Sequence, residues 1–205
     1  MGQFSDDGRW WWDGRTWVAT AQIVLPQLPI TEFERSGRLA RARADLANGR
    51  RAFWSWVVLL GGNIPGLMPV NRRGFREYRT WTIEQLALAT DLLLGPGETM
   101  VAGEVSSYDY WDNWTRNLAV AVTAAHVIVF RIDHRDGQPR WIAMAARMTD
   151  VTMERVTVLF GLMYQALRVT GPTGRWDILG FQAHKFDPQP VIDAWRKGVG
   201  AVAGA

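Results

Sequence analysis

The spacing of hydrophobic residues divides most of the chain into two regions. In residues 31–48 and 82–95 apolar side chains recur three or four positions apart, which is typical of helices, and an apolar window lies between them at 53–70. From residue 99 to residue 181 they form short runs rich in Val, Ile, Thr and aromatic residues, with turn residues between the runs. Such runs are typical of antiparallel strands. The pattern therefore predicts helices first and a strand-rich region afterwards.

Two helices are predicted in the first of these regions. A capping box, Thr31 with Glu34, starts a helix that runs to residue 48. A second capping box, Thr82 with Gln85, starts another helix, and the sequence Gly-Pro-Gly at residues 95–97 ends it.

The strand-rich region predicts a meander followed by one more helix. The seven predicted strands cover residues 99–106, 117–123, 127–132, 141–146, 151–158, 164–170 and 175–181. Asp187 and Pro188 then begin a helix, because Asp is a favoured N-cap and Pro is favoured at the first helical position. The apolar face of this helix carries Ile192, Trp195, Val199 and Val202.

The N-terminal segment is rich in tryptophan. Asp7-Gly8 and Asp13-Gly14 predict tight turns between very short strands, and the second turn would pair residues 10–12 with residues 16–18. A ribbon of this size is marginally stable alone, so it either docks on the rest of the chain or stays mobile. The prolines at 26 and 29 predict an extended linker, since each disfavours helix at the residue before it.

Length and composition bound the fold class. A chain of 205 residues with 48% hydrophobic and 21% charged residues has enough apolar material for one core, which excludes a disordered, collagen-like or coiled-coil protein. The absence of cysteine excludes disulfides, thiolate nucleophiles and Cys-ligated metal sites. We divide the chain into a Trp-rich ribbon and linker (1–30), a basic helical and apolar segment (31–95) and a C-terminal domain (96–205).

Positive charge is concentrated in the middle segment. Residues 35–79 hold ten arginines against one Asp and one Glu, a balance of +8, whereas residues 96–205 hold eleven basic and eleven acidic residues. The apolar window at 53–70 is broken by Gly, Pro, Ser and Asn, so it does not predict a membrane span. No secretory signal is recognisable, and we expect a cytoplasmic protein, with peripheral attachment at the inner membrane face left open.

The middle segment predicts either a contact with an anionic membrane surface or internal packing. The residues expected at such a surface are Arg50, Arg51, Trp54, Trp56, Arg72, Arg73 and Arg76. Alternatively, residues 53–70 pack in the core or form a homo-oligomer interface. Nucleic acid is disfavoured, because the arginines of residues 31–48 fall on more than one helix face and no known nucleic-acid module is present.

Three short motifs, taken with the order of seven strands and a terminal helix, resemble a known family. They are LLLGPGE at 92–98, TAAHVIVF at 123–130 and TDVT at 149–152. Over residues 86–202 the chain resembles the bacterial PH-like branch of the pleckstrin-homology superfold, which is related to GRAM-type domains. The resemblance implies an α+β fold, namely a seven-stranded antiparallel barrel capped by a C-terminal helix, with a helical N-terminal extension.

A second resemblance covers the start of the chain. Residues 5–18, SDDGRWWWDGRTWV, resemble a short Trp-rich module of unknown function at the N-termini of actinobacterial and neighbouring bacterial membrane-associated proteins.

An aromatic loop is predicted between the first two strands of the PH-like region. Its candidate binding residues are Tyr108, Tyr110, Trp111, Trp114 and Arg116. Aromatic side chains with polar tips suit a protein or membrane-interface contact, while the single arginine argues against phosphate capture. Alternatively, Trp111 and Trp114 close the open end of the barrel.

The residues that could support catalysis are few. His126, His134 and His184 are the only histidines, and no pair has the spacing of a helical zinc site. We expect His126 to be a hydrogen-bonded structural residue, and Asp133, His134 and Asp136 to form a solvated turn rather than a weak metal site. No P-loop or nucleophile elbow is present. The sequence thus predicts no enzyme activity, no metal and no cofactor.

These observations predict a noncatalytic binding or adaptor protein with a PH-like domain. Its expected partner is another protein or an anionic membrane surface. The alternative is a small-molecule-binding protein or minor enzyme that uses the barrel mouth near the aromatic loop.

Overall fold

The computed structural model describes residues 2–45, 48, 72–95, 97–106, 118–133, 136–157, 164–181 and 186–203. The strands are β1 (Gln3–Phe4), β2 (Trp10–Trp12), β3 (Trp17–Ala19), β4 (Ala102–Val105), β5 (Leu118–Val122), β6 (His126–Ile132), β7 (Pro139–Arg147), β8 (Thr152–Thr157), β9 (Tyr164–Gly171) and β10 (Gly174–Phe181). The helices are α1 (Glu32–Arg35), α2 (described over residues 38–45), α3 (Arg72–Leu94) and α4 (Gln189–Ala203). Short 3-10 turns cover Thr20–Gln22 and Met148–Asp150.

The protein is α+β, but the predicted closed barrel is wrong. The described strands form three separate antiparallel sheets with the orders β1-β2-β3, β4-β5-β6-β7 and β10-β9-β8. All seven predicted strands of the C-terminal region are present, in the predicted order, and the terminal helix follows them. Within the described part of residues 96–205, the seven strands and their order were therefore predicted correctly, and the closure of the sheet into a barrel was not.

Where the structure describes the chain, the barrel is not closed at either junction between the sheet of β4–β7 and the sheet of β8–β10. The 3-10 turn Met148–Asp150 separates β7 from β8, so these consecutive strands lie in different sheets. At the other junction Ser106, just after β4, donates a side-chain hydrogen bond of 2.8 Å to the carbonyl oxygen of Leu179 in β10. Among the described residues no ladder joins β4 to β10. A barrel requires backbone pairing at that edge, which hydrophobic runs alone do not specify.

The four-stranded sheet is buried on both faces. Every residue of β5 is buried, and β6 alternates between Ile128 and Phe130 on one face and Val127 and Val129 on the other. The face with Ile128 and Phe130 packs against α3 and the N-terminal segment. The face with Val127 and Val129 packs against the sheet of β8, β9 and β10 and against α4. Layers on both sides explain why the β5 sequence, LAVAV, lacks an alternation of polar and apolar residues.

The helices of the middle segment differ in detail from the predictions. The capping box at Thr31 is confirmed, but Ser36 and Gly37 interrupt the helix that follows it. The start predicted at Thr82 is wrong, because α3 begins ten residues earlier and Thr82 is fully buried within it. The Thr82 hydroxyl donates a hydrogen bond of 3.0 Å to the carbonyl oxygen of Tyr78, one turn earlier in the same helix, and does not cap a helix end.

The terminal helix α4 begins at Gln189, directly after the predicted N-cap and proline, and three of the four residues predicted on its apolar face pack on the core, whereas the fourth, Val202, is 51% exposed. Oδ1 of Asp187 accepts a hydrogen bond of 3.1 Å from the backbone N–H of Gln189. Ile192 is buried, and Trp195 and Val199 pack against the same core from partly buried positions. The indole N–H of Trp195 donates a hydrogen bond of 3.1 Å to the carbonyl oxygen of Met148. This bond attaches the helix to the turn between β7 and β8.

Candidate functional site: an outward face of tryptophans

The N-terminal ribbon is a three-stranded sheet held by two tight turns. β2 and β3 pair so that Trp10 faces Ala19, Trp11 faces Val18 and Trp12 faces Trp17, one residue away from the predicted register. β1, for which no range was predicted, pairs with β2 across the turn predicted at Asp7-Gly8. In the turn between β2 and β3, Oδ1 of Asp13 accepts two backbone N–H bonds of 2.7 Å, from Arg15 and Thr16.

One face of this ribbon is anchored to the rest of the protein. Trp11 and Val18 pack against the core beneath, and the Trp11 indole N–H donates 3.1 Å to the carbonyl of Leu93 at the end of α3. Phe4 of β1 is buried with its ring centroid 6.0 Å from that of His126. The ribbon is thus docked, which decides between the two expectations for this segment.

The opposite face of the ribbon carries three tryptophans toward solvent, because side chains alternate along a strand. Trp10 is 47% exposed and Trp17 is 49% exposed. Trp12 is half-buried, with its ring centroid 5.6 Å from that of Trp17 and the ring planes at 54°. We call Trp10, Trp12, Trp17 and the small Ala19 the tryptophan face.

The charges around the tryptophan face are mostly negative. Residues 2–20 contain three aspartates (Asp6, Asp7, Asp13) and two arginines (Arg9, Arg15), a formal balance of −1. Backbone hydrogen bonds from Thr16 and Arg15 lower the pKa of Asp13, and the Ser5 hydroxyl and the backbone N–H of Arg9 lower that of Asp7. Both carboxylates are therefore ionised at neutral pH.

A histidine, a glutamate and a threonine meet where the segment before β4 approaches the turn between β5 and β6. His126 Nδ1 lies 2.7 Å from Oε1 of Glu98, and the Thr123 hydroxyl also donates to Glu98. Burial acts to raise the pKa of Glu98, but the hydrogen bonds from His126 and Thr123 outweigh burial, so its pKa lies below the ordinary value. The prediction that His126 is a hydrogen-bonded structural residue is confirmed.

A buried ion pair joins α3 to β4. Arg79 donates to both carboxylate oxygens of Glu104, whose side chain is fully buried. Hydrogen bonding to Glu104 raises the pKa of Arg79 despite burial. A bidentate pair of this kind positions two elements against each other.

A cleft with arginine side chains lies between α2 and the start of α3. It has a volume of about 500 Å³ and is lined by Arg38, Arg41, Ala44, Asp45, Arg73 and Glu77. Arg73 pairs with Glu77 at 3.3 Å, and the Arg38 guanidinium lies 4.4 Å from the centre of the Phe33 ring. Its three arginines and two acidic residues give a formal charge of +1. We call it the arginine cleft.

The sequence-predicted site residues are mostly not described. The whole aromatic loop, Tyr108, Tyr110, Trp111, Trp114 and Arg116, lies outside the described residues, as do Arg50, Arg51, Trp54 and Trp56. Arg72, Arg73 and Arg76 lie at the start of α3, and the side chains of Arg73 and Arg76 are exposed there. Of these three, the structure places Arg73 in the arginine cleft.

Two searches of the described residues gave no site of another kind. In the described part of the chain, no group of three or more His, Cys, Asp or Glu side chains is arranged to hold a metal ion. Likewise, none of the helices within the described ranges is long and apolar enough to cross a bilayer.

Sequence reasoning missed the tryptophan face, although it noted the tryptophans. The run Trp10-Trp11-Trp12 places alternate rings on opposite faces of any strand, which could have been inferred. Which face is buried depends on the docking of Trp11 against Leu93, 82 residues away in the chain. The sequence comparisons offer no precedent for this surface, since neither a family model, a curated protein nor a solved structure shows a significant match to this chain.

Proposed function

We propose that this protein is a noncatalytic binding module that recognises a protein partner through the tryptophan face. The observation that carries the proposal is the division of neighbouring indoles between two faces. Trp11 is anchored to the core, while Trp10 and Trp17 are each about half exposed. Single exposed apolar residues are ordinary, whereas a cluster on one rigid face is typical of an interaction site.

The size of the effect supports recognition by these rings. A half-exposed indole leaves on the order of 100 Å² accessible, and burial contributes about 25 cal/mol per Å², so each of Trp10 and Trp17 has roughly 2–3 kcal/mol to contribute on binding. Tryptophan is also among the residues that dominate binding energy at interfaces. Because the ribbon strands are two or three residues long, the contact area is small and the interaction is weak and transient.

The experiment is a selection of displayed random 12-residue peptides on the wild-type protein, with counter-selection on the double variant Trp10→Ala/Trp17→Ala. We expect peptides that bind the wild type and lose at least tenfold in affinity for the double variant. The matched control is Val101→Ala, which removes a side chain that is 65% exposed but belongs to another element. The proposal fails if selected peptides bind the wild type and the double variant equally.

The PH-like assignment stays a prediction. The order of seven described strands followed by a terminal helix agrees with it, whereas the closed barrel that it implies is contradicted by the separate sheets of four and three strands. Fold alone does not fix a ligand, so function would reside in the surfaces that these elements carry.

The arginine cleft supports a second candidate, peripheral attachment to an anionic membrane surface. Arg38, Arg41 and Arg73 would meet lipid phosphates there, an interaction that salt weakens. Cosedimentation with vesicles of mixed neutral and anionic phospholipid at low salt tests it. We expect Arg41→Gln to reduce binding and Arg175→Gln, an exposed residue on β10, to leave binding unchanged. Failure of the wild type to cosediment removes this candidate.

A further inference from the structure

We infer that the partner segment is an extended, proline-containing peptide with a basic residue that lies beside Asp13. The inference rests on the proposed function, because it specifies what the tryptophan face binds. It combines the shape of that face, the shortness of the strand edges and the sign of the surrounding charge.

The shape of the tryptophan face favours a narrow ligand. Trp12 and Trp17 stand opposite each other across β2 and β3, whereas Trp10 stands opposite Ala19. Neighbouring positions on one face lie about 5 Å apart across strands and about 7 Å apart along a strand. Three rings and one methyl group occupy these positions, so the smallest side chain of the face, Ala19, has indoles at the neighbouring positions. A proline ring is compact, apolar and rigid, so it suits a small position between aromatic rings.

The ribbon edges offer little backbone pairing. β1 has two residues, and β3 has three before the chain enters the turn at Thr20. Strand addition at either edge would gain only a few main-chain hydrogen bonds. A polyproline II ligand needs no backbone pairing, because its conformation has no internal ladder and is largely formed before binding. Recognition by rings rather than by an edge therefore favours proline.

The charge around the tryptophan face favours a basic ligand. Asp13 directly follows Trp12 in the turn that leads to Trp17, and its side chain is exposed. Oδ1 of Asp13 is occupied by two backbone N–H groups, while Oδ2 has only a weak contact of 3.4 Å with the Thr16 hydroxyl in the described part of the protein. No cation there lies within ion-pair distance of Asp13, although Arg15 acts on it electrostatically from a greater distance. By contrast, Arg9 is 3.9 Å from Asp7 and Arg147 pairs with Asp6.

An arginine or lysine on the ligand would thus meet an ionised carboxylate next to a pair of indoles. The carboxylate supplies an ion pair, and the ring faces supply cation–π attraction. A basic proline-containing peptide satisfies the rings and the charge together.

The test uses three fluorescently labelled 12-residue probes and the full-length protein at low salt. The first probe is rich in proline and contains two arginines, the second replaces both arginines with glutamine, and the third keeps the arginines but replaces the prolines with alanine. We expect the first to bind most tightly. Equal binding of the first and third probes would overturn the assignment of proline.

The variant Asp13→Asn isolates the charge. Asparagine keeps an oxygen that accepts the two backbone N–H groups, so the turn is retained. We expect about a two- to fivefold loss of affinity for the arginine probe, the size of an exposed ion pair, and no change for the glutamine probe. A loss that is equal for both probes, or no loss for either, would overturn the role of Asp13.

The outcomes separate this inference from the proposed function. If displayed peptides bind through Trp10 and Trp17 but contain neither proline nor basic residues, the inference is wrong and the proposed function stands. If no peptide depends on these rings, both are wrong. Vesicle binding that is lost in Trp10→Ala/Trp17→Ala would identify a lipid ligand and would likewise overturn both. As a control, the thermal unfolding midpoint of each variant is measured. A midpoint equal to that of the wild type shows that the substitution leaves the fold intact.

Discussion

Arg79 on α3 donates two hydrogen bonds of 2.8 Å to the two carboxylate oxygens of Glu104 on β4. Glu104 has no exposed surface, so its charge depends on this partner and on the backbone N–H of Val105. The pair holds the long helix against the first strand of the four-stranded sheet.

Removal of one partner should be costly. We expect Arg79→Met to lower the free energy of unfolding by about 3–5 kcal/mol, because it leaves a buried carboxylate without its cation. The double variant Arg79→Met/Glu104→Leu should recover most of that loss. Arg73→Met is the control, since the exposed Arg73–Glu77 pair contributes about 0–1 kcal/mol. Urea unfolding measures all three, and a double variant as unstable as Arg79→Met would contradict the explanation.

The hydrogen bond that anchors the ribbon can be removed while a smaller aromatic ring is kept at position 11. Trp11→Phe deletes the indole N–H that donates to Leu93, and we expect a loss of about 1 kcal/mol together with faster amide exchange across residues 2–20. Trp10→Phe is the matched control on the exposed face and should change neither quantity. Hydrogen exchange followed by mass spectrometry is the measurement. Unchanged exchange in Trp11→Phe would show that other contacts hold the ribbon.

Two turn glycines separate backbone strain from a docking clash. Gly8 and Gly14 both have positive φ, +65° and +101°, so alanine is strained at either position. An added Cβ at Gly8 would come within 1.8 Å of the Ala145 carbonyl oxygen, whereas one at Gly14 would meet nothing within 4 Å. We expect Gly14→Ala to cost about 1–3 kcal/mol while the ribbon stays docked, and Gly8→Ala to detach the ribbon.

Limited proteolysis distinguishes these results. Cleavage within residues 2–20 should accelerate strongly in Gly8→Ala and only slightly in Gly14→Ala. Equal acceleration in the two variants would mean that strain alone, and not the close approach to β7, decides the effect.

The contribution of Glu98 should depend on pH. Because the pKa of Glu98 is lowered from its ordinary value of 4.5, the folded protein favours the carboxylate, and its contribution is fully present above that value. The contribution is lost as pH falls through the lowered pKa. We expect Glu98→Gln to cost about 1–2 kcal/mol at pH 7 and progressively less below pH 4. Denaturant midpoints of both proteins from pH 7 to pH 3 provide the check, and a constant difference would be contrary to this assignment.

Local signals predicted the elements of this protein well where the pattern was strong. The seven strands of the C-terminal region and the capping box at Thr31 were readable, because runs of β-branched and aromatic residues between turns, and a cap, depend on neighbouring residues. The start of α3 was misjudged because Thr82 and Gln85 imitate a capping box while both are buried within the helix. Tertiary burial decided their role.

The candidate site was only partly predictable. The tryptophans and the turn at Asp13 were recognised, but the register was wrong by one residue, so Trp17 was not placed opposite Trp12. A one-residue change of register moves a side chain to the other face, and the face decides exposure.

The sequence by itself determined the order of strands and helices, the turns of the N-terminal ribbon and the absence of cysteine chemistry, since each depends on residue type and near neighbours. Only the tertiary structure decided that the sheets remain separate and that Trp11 rather than Trp10 faces the core. The first outcome depends on whether β4 and β10 pair, which they do not among the described residues, and the second depends on the contact of Trp11 with Leu93. Both relations join residues far apart in the chain, so no local pattern encodes them.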